Sequence, residues 1–235
     1  MMYPDRQDFE SPSQAGKRAH IAMPVEILKR SAELHAAAVS CMSGSAPTDH
    51  PRVISAYQCS LMSVEHAAGA IALLTIGMPN AAMALFRPQF ETLIRGVWLL
   101  EAADEKWVRQ YHEPPSEESS RAADMAPGVK LMFDELLKLE DPRVKGIVGH
   151  LDEYRAQSLR ALSSLTHGGM HPMSRSGTGY PMTLVDNVVR CANGLVCYAA
   201  QMAALISTDA EANMVLVSGL HQDFRDCLPG MMDTA

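Results

Sequence analysis

Apolar residues recur at spacings of three and four along nearly the whole chain, and this periodicity restricts the fold more than any other feature. Residues spaced in this way lie on one face of an α-helix. In the first long segment the apolar stripe includes Ile27, Leu28, Leu34 and Val39. We find no bounded run of alternating apolar and polar residues, which is the pattern of a strand. The sequence therefore predicts an all-α fold, an up-and-down bundle of long antiparallel helices.

The composition agrees with one packed helical domain. Hydrophobic residues make up 47% of the 235 residues, which is enough apolar surface to bury a core. Aromatic residues contribute only 6%, whereas 16 methionines suit irregular packing between helices. We predict a single bundle domain at residues 23–228, a flexible N-terminal tail at 1–22 and a C-terminal tail at 229–235.

The cysteines, the N-terminal residues and the apolar segments indicate in which compartment the protein is found. The cysteines are odd in number, scattered and without a CxxC pair, which argues against a disulfide framework or a zinc knuckle; they are Cys41, Cys59, Cys191, Cys197 and Cys227. The N-terminus has charges and prolines where a signal peptide needs an apolar core. Apolar segments at 67–78 and 191–206 are shorter than the ~20 residues of a membrane span. We expect a soluble, cytoplasmic protein without a membrane partner.

Clusters of proline, glycine and polar residues mark where the helices begin and end. They predict helices at about 24–42, from 49 or 51 to 77, from 80 to 103, and at 128–139, 144–167, 182–207 and 209–227. A polar, acidic and proline-rich surface excursion is expected at 112–126, and a loop at 171–181. Short connections between long helices favour antiparallel neighbours.

The best candidate for chemistry is an arginine two helical turns before a histidine. Arg160 and His167 lie seven residues apart, so a helix places them on one face, about 20° out of line and ~10 Å apart along the axis. Gly168 and Gly169 follow as a helix stop, and the helix dipole then favours the imidazolium form of His167. This pattern suits a proton donor beside a cation. The structural alternative is a capping histidine and a solvated arginine.

An arginine followed by a few residues and a histidine near a helix end resembles the signature of HEPN-family helical domains. Family members with this motif are commonly metal-independent ribonucleases that act as dimers, with the paired motifs facing one another. The resemblance implies that Arg160 holds the scissile phosphate and that His167 moves the proton of a ribose 2′-hydroxyl or of the leaving oxygen. Six residues separate Arg160 from His167, which is at the long end for the family. The polar residue that often follows the family's arginine is replaced here by Ala161.

A second charged element precedes this motif along the chain. Arg87, Glu91 and Arg95 step by four residues and can form a ladder of ion pairs on one helical stripe. Pro88 removes a backbone donor and predicts a kink or a boundary near Arg87. If the stripe faces His167, Glu91 can orient the imidazole, and either arginine can bind a phosphate. The alternative is an ordinary solvated ladder.

A metal-binding bundle is a less favoured interpretation. His167 and His171 are four residues apart, and Glu65 and His66 lie in an earlier helix, which resembles DinB-like bundles. Glycines after His167 and Pro172 after His171 disturb the helical geometry that such a pair needs. We predict no metal and no cofactor, and assign His171 to substrate binding. Phosphate loops and hydrolase elbows are missing from the sequence.

The sequence predicts, in sum, a HEPN-like metal-independent RNA endonuclease, or an RNA-binding relative of one, in a toxin or defence setting. Its catalytic residues would be Arg160, His167 and Glu91, with substrate bound by Arg87, Arg95 and His171. Expected partners are a second copy of the chain, RNA and an antitoxin-type protein. A net charge of −7 argues against general coating of nucleic acid but permits a local basic site. The alternative function is a non-catalytic helical interaction protein.

Overall fold

Ten α-helices and one short 3-10 helix make up nearly all of the described chain. The computed structural model describes residues 25–166 and 169–230, apart from the side chains of residues 123–124, 157–165 and 171. No strand is present in these ranges, so the all-α bundle prediction is confirmed. The α-helices are α1 Val25–Ser43, α2 Pro51–Thr75, α3 Pro79–Glu101, α4 Glu105–His112, α5 Glu117–Asp124, α6 Val129–Leu136, α7 Pro142–Thr166, α8 Met170–Thr178, α9 Met182–Leu205 and α10 Ala210–Asp223, and the 3-10 helix is Arg225–Cys227.

A tight turn joins α2 to α3 and makes them antiparallel neighbours. Gly77 has a positive φ of 77°, which glycine adopts without steric cost. The amide of Met78 donates to the carbonyl of Leu73 at 2.8 Å, and the amide of Gly77 donates to that of Leu74 at 3.0 Å. These two bonds form the Schellman arrangement that ends helices. Pro79 then begins α3 at the first helical position, where its missing donor is not needed.

Gly96 brings the two helices of this hairpin close together. A Cβ atom at this position would lie 2.9 Å from Cβ of Cys59 and 3.3 Å from the carbonyl oxygen of Ala56, both on α2. The same atom would lie 2.8 Å from Cε of Met202 on α9. A side chain larger than hydrogen therefore does not fit between the three helices without movement.

Helix α9 lies in the core and packs against α1, α2, α3 and α10. It is the one described helix that is long and apolar enough, by length and composition, to cross a bilayer. Its most apolar 18-residue window has a mean hydropathy of 1.3, and 61% of that window is buried inside the bundle. Such burial is typical of the core helix of a globular domain.

A buried polar network joins α1, α9 and the 3-10 helix. Asn193 donates from Nδ2 to Oγ of Ser31 at 2.8 Å and to the carbonyl oxygen of Cys227 at 2.9 Å. Its Oδ1 lies 3.1 Å from Nε2 of His35. Arg30 and Arg190 add bonds to the backbone around Asp226 from α1 and α9. The last described turn is therefore tied to both helices.

The predicted loop at 171–181 is wrong, because most of it forms α8. Pro172 lies in the first turn of this helix, where no intrahelical donor is needed. Gly179 ends the helix with a φ of 79°, and its amide donates to the carbonyl of Arg175 at 2.8 Å. The hydroxyl of Thr178 donates to the carbonyl of Ser174 at 3.0 Å. Gly, Ser and Pro thus occupy positions that begin or end a helix.

The predicted excursion at 112–126 lies mainly on the surface and includes a helix, α5. Ser116 and Ser119 cap its start reciprocally, with each backbone amide donating to the other residue's hydroxyl at 2.8 and 3.0 Å. Glu117 and Glu118 in the first turn interact favourably with the helix dipole. Pro88 marks no boundary, because α3 continues through it from Pro79 to Glu101.

The five cysteines all lie in the described ranges and form no disulfide. The remaining predicted helices match the observed ones to within a few residues, with α1 at Val25–Ser43 against a prediction of 24–42. The predicted tails stay predictions, because residues 1–24 and 231–235 lie outside the described part of the chain.

Candidate functional site

The helix that carries Arg160 runs antiparallel to α3 and contacts it at both ends. Near the start of α7, residues on both helices line a shared cavity. Further along, the ring of Tyr154 stacks on Phe90 with a centroid separation of 5.0 Å. At the end of α7, the hydroxyl of Thr166 lies 3.4 Å from the carbonyl oxygen of Ala84. Arg160 is midway between Tyr154 and Thr166, so its backbone is level with Arg87, which is midway between Phe90 and Ala84.

The contact between Thr166 and Ala84 has a cause in the sequence. In a helix, the carbonyl of Ala84 would accept a bond from the amide of residue 88. Pro88 has no amide hydrogen, so this carbonyl lacks its usual donor, and the hydroxyl of Thr166 approaches it instead. The distance of 3.4 Å is long for such a bond.

The segment after Thr166 returns to α3 within a short stretch. The hydroxyl of Tyr180 donates to Oδ1 of Asn80 at 2.8 Å. Asn80 and Ala84 are four residues apart on α3, which is about one helical turn. Residues 167–179, which include α8, therefore lie between two residues, Thr166 and Tyr180, that contact successive turns of α3. We call this segment the excursion.

Three predicted site residues fall in or near this excursion but lie outside what the structure describes. His167 is not among the described residues, and nothing is described of the side chains of Arg160 and His171. Position 160 itself belongs to α7.

Arg87 and Glu91 form the first rung of the predicted ladder. Nε of Arg87 donates to Oε1 of Glu91 at 2.6 Å, and the two side chains are 23% and 27% exposed. Glu91 lies seven residues after Ala84, so it shares the stripe of α3 onto which the end of α7 docks. The pair is half-buried, and Glu91 follows directly after Phe90, the residue on which Tyr154 stacks. The carboxylate of Glu91 therefore partly compensates the charge of Arg87.

The second rung is not found among the described residues, because Arg95 does not pair with Glu91. Arg95 lies about 80° around α3 from Arg87, and its buried Nε has no hydrogen-bond partner in the described ranges. Burial raises the pKa of the Cys59 thiol to about 11 and also raises the pKa of Tyr111, and the charge of Arg95 opposes both shifts. Arg95 therefore lies beside α2 and α4, away from the Arg87–Glu91 pair.

Sequence reasoning missed the residues that attach the excursion, Thr166 and Tyr180. A signal for Thr166 existed, because a proline inside a helix always leaves one carbonyl without its helical donor. Which side chain approaches that carbonyl depends on the packing of α7 against α3, and spacing in the sequence does not contain this information.

No metal centre is found in the described part of the chain, where no group of three His, Cys, Asp or Glu side chains is placed to hold an ion. Glu65 is exposed on α2, and His66 is half-buried beside it. The other two residues of the DinB-like hypothesis, His167 and His171, fall outside the described side chains, so that hypothesis stays a prediction.

Comparison with known proteins gives one match. The model of a family of unknown function (DUF6988) matches residues 60–230, from the middle of α2 to the end of the described chain. The matched region includes all six predicted site residues. No curated protein and no solved structure matches the chain significantly.

Proposed function

The chain belongs to the DUF6988 family, whose description assigns no activity, and from its own residues we propose that it is a HEPN-like protein that cleaves or binds RNA without a metal. In this proposal it acts as a homodimer in a toxin or defence setting, and Arg160 and His167 are the central residues. Arg87, Glu91, Arg95 and His171 support them.

The observation that carries the proposal is the attachment of residues 167–179 to α3. Thr166 and Tyr180 contact α3 about one turn apart, so His167 follows directly after an anchored residue. Catalytic side chains need a fixed support to stay within about 0.5 Å of a productive geometry. The contacts of Thr166 and Tyr180 with α3 attach the two described residues on either side of this segment.

The chemistry needs a base, an acid and a cation. One imidazole removes the proton of a ribose 2′-hydroxyl, and the 2′-oxygen then forms a bond to phosphorus as the bond from phosphorus to the 5′-oxygen breaks. A second proton donor protonates the 5′-oxygen that leaves. Arg160 stabilises the charge on the phosphate oxygens. The products are a 2′,3′-cyclic phosphate and a 5′-hydroxyl.

The need for two proton transfers favours a site shared by two protomers. A single copy offers one His167, whereas a pair of facing copies offers two, so that one can act as the base and the other as the acid. The predicted dimer therefore supplies both proton transfers.

The test is RNA cleavage by the purified full-length chain in excess EDTA, with 5′-labelled single-stranded RNA. We expect fragments that end in a 2′,3′-cyclic phosphate, and no cleavage of RNA whose 2′-hydroxyls are replaced by hydrogen. His167→Ala and Arg160→Ala should each reduce the rate by at least about 100-fold. His50→Ala and Arg109→Ala, both at exposed positions, serve as matched controls and should cleave normally.

Circular dichroism and size-exclusion chromatography of every variant separate lost chemistry from lost folding. If the wild type neither cleaves nor binds RNA, the proposal is rejected. Equal activity of the wild type and both site variants rejects the assigned roles, because any cleavage would then arise elsewhere.

A second candidate, a non-catalytic helical interaction protein, is favoured by one observation. Met170 and Met173 on α8 are 84% and 71% exposed, and they lie three residues apart on one face of the helix. Exposed methionines adapt to different partner surfaces, and an antitoxin-type protein is the partner that the first proposal also implies. In this case His167→Ala and Arg160→Ala lower thermal stability without any RNA-dependent effect, whereas Met173→Glu abolishes complex formation.

A further inference from the structure

A cavity of about 550 Å³ lies between α3, α7 and α9, at the end of α7 far from Arg160. Its volume is within the range of small-molecule sites. Most of its wall is apolar and comes from all three helices. Glu101, Tyr198 and Gln201 are among the polar residues that line it. A concave apolar site with a few polar groups is the usual form of a ligand pocket.

These three polar side chains have no hydrogen bond or ion pair in the described part of the chain. Tyr198 and Gln201 are three residues apart on α9 and thus on one face of the helix, opposite Glu101 at the end of α3. Each supplies an oxygen that can accept a hydrogen bond. A primary ammonium group has three N–H donors, which equals the number of these acceptors.

The charges around the cavity also favour a cation. Arg143 lines the cavity, but its guanidinium is bound to Asp141 by two bonds of 2.7 and 3.2 Å, so it does not pair with Glu101. Glu101 is therefore the one carboxylate in the cavity wall, and it forms no ion pair in the described part of the chain. Burial raises the pKa of Glu101 and the charge of Asp141 adds to this shift, while the charges of Arg143 and Arg52 oppose it.

The apolar wall fits the body of such a molecule. The ring of Tyr198 stacks on His150 with a centroid separation of 5.8 Å and an angle of 21° between the planes. This gives a flat aromatic surface beside the polar groups. We propose that the cavity binds a small primary amine with an aromatic or alkyl body, its ammonium on Glu101, Tyr198 and Gln201 and its apolar part between α7 and α9.

Gly146 allows a direct test by filling the cavity. It lines the cavity on α7, and a Cβ atom there meets nothing within 4 Å. Gly146→Leu therefore places a side chain in the binding volume while it improves helix propensity. Gly149, on the same helix but not in the cavity wall, also meets nothing within 4 Å, so Gly149→Leu is a matched control.

The experiment is an NMR titration of the full-length chain with hexylamine, phenethylamine and tryptamine, each up to about 5 mM, which detects binding of millimolar affinity. Phenethyl alcohol and phenylpropanoate serve as neutral and anionic counterparts. We expect at least one amine to bind with shifts centred on the amide of Gly146, and its alcohol or acid counterpart to bind at least tenfold more weakly. Glu101→Gln should weaken amine binding roughly tenfold, and Gly146→Leu should abolish it, with Gly149→Leu unchanged.

The proposal is overturned if no amine binds, if the neutral and anionic counterparts bind as well as the amine, or if Gly146→Leu binds like the wild type. Should Gly146→Leu fail to fold, the comparison of Glu101→Gln with the wild type decides the outcome. None of these results depends on the RNA chemistry proposed for the other end of α7.

Discussion

The hydroxyl of Thr166 lies 3.4 Å from the carbonyl oxygen of Ala84, the acceptor that Pro88 leaves without a helical donor. Pro88 thus leaves a free acceptor on α3 at the position where the end of α7 packs. This relationship links an irregularity inside one helix to the end of the helix that precedes His167 in the sequence.

A double-mutant cycle between Pro88 and Thr166 tests this link. Thr166→Val removes the hydroxyl and destabilises the wild type. In the Pro88→Ala background the same change should cost roughly 0.5 kcal/mol less, because the restored amide of residue 88 then satisfies the carbonyl of Ala84. We expect a small coupling free energy because the distance between the Thr166 hydroxyl and the Ala84 carbonyl is long for a hydrogen bond. Urea unfolding of the four proteins gives the coupling free energy.

Thr75→Val is the control for this cycle, because its hydroxyl donates to the carbonyl of Ile71 inside its own helix at 2.9 Å. Its cost should be the same with Pro88 and with Ala at that position. A coupling of zero between Pro88 and Thr166 would show that the contact makes no contribution in solution.

The buried His35 predicts a loss of stability in acid. Burial lowers its pKa from 6.5 to about 4, while its bond to Asn193 opposes the shift, and its Nδ1 has no partner in the described ranges. Between pH 6.5 and 4 the unfolded chain therefore binds this proton and the folded chain does not, so stability falls as the pH falls. The loss from this residue approaches about 3 kcal/mol near pH 4.

His35→Gln removes the titrating group and isolates this contribution. The variant should be less stable than the wild type at pH 7.5, because it packs less well, and the difference should shrink by up to about 3 kcal/mol as the pH falls to 4. The measurement is the free energy of unfolding in urea at several pH values. Exposed His50→Gln should follow the wild type throughout, and a difference for His35→Gln that is constant with pH contradicts the prediction.

Much of the fold was predictable because its signals are local. Gly77 and Pro79 stop one helix and start the next through their own backbone properties, so the α2–α3 hairpin follows from the sequence. The same rules failed at α8, where Pro172 and Gly179 occupy the two ends of a short helix. Gly, Ser and Pro permit either a loop or a helix terminus, and the packing of the neighbouring helices decides between them.

The candidate site was less predictable because it depends on tertiary contacts. Steps of four residues drift by about 40° each, so Arg87 and Arg95 diverge enough to face different neighbours. Arg87 pairs with Glu91 beside α7, whereas Arg95 faces α2 and α4. The sequence identifies these charged residues, but it does not contain the register of α7 against α3 that decides which of them share a surface.

Gly96→Ala should destabilise the bundle although alanine favours helices. The new methyl group would approach Cys59 and Met202 within 3 Å, and overpacking of this kind costs about 1–3 kcal/mol. Gly219→Ala, on α10 with nothing within 4 Å of the new atom, should instead stabilise by about 0.5–1 kcal/mol. Denaturant midpoints at unchanged slope provide the comparison. Equal effects at the two positions would contradict the close approach of α2, α3 and α9.

Arg52 lies on α2 and donates hydrogen bonds to carbonyls at the end of α3. Its Nη1 donates to the carbonyl of Leu99 at 2.6 Å and its Nη2 to that of Ala103 at 2.8 Å, and it also pairs with Glu105. Carbonyls at a helix end lack intrahelical donors, and the planar guanidinium binds that of Leu99 in the last turn together with that of Ala103 just beyond the helix. Arg52→Met should therefore lower the free energy of unfolding by about 1–3 kcal/mol.

Arg52→Lys separates charge from geometry at this position. A lysine keeps the positive charge but offers a single ammonium in place of the two-pronged guanidinium, so we expect it to recover less than half of the loss. Thermal unfolding measures the stability, and hydrogen exchange should show faster exchange of the amides of α4, which follows this helix end directly. Full recovery by lysine would mean that the charge near the helix C-terminus, rather than the paired bonds to Leu99 and Ala103, stabilises the junction.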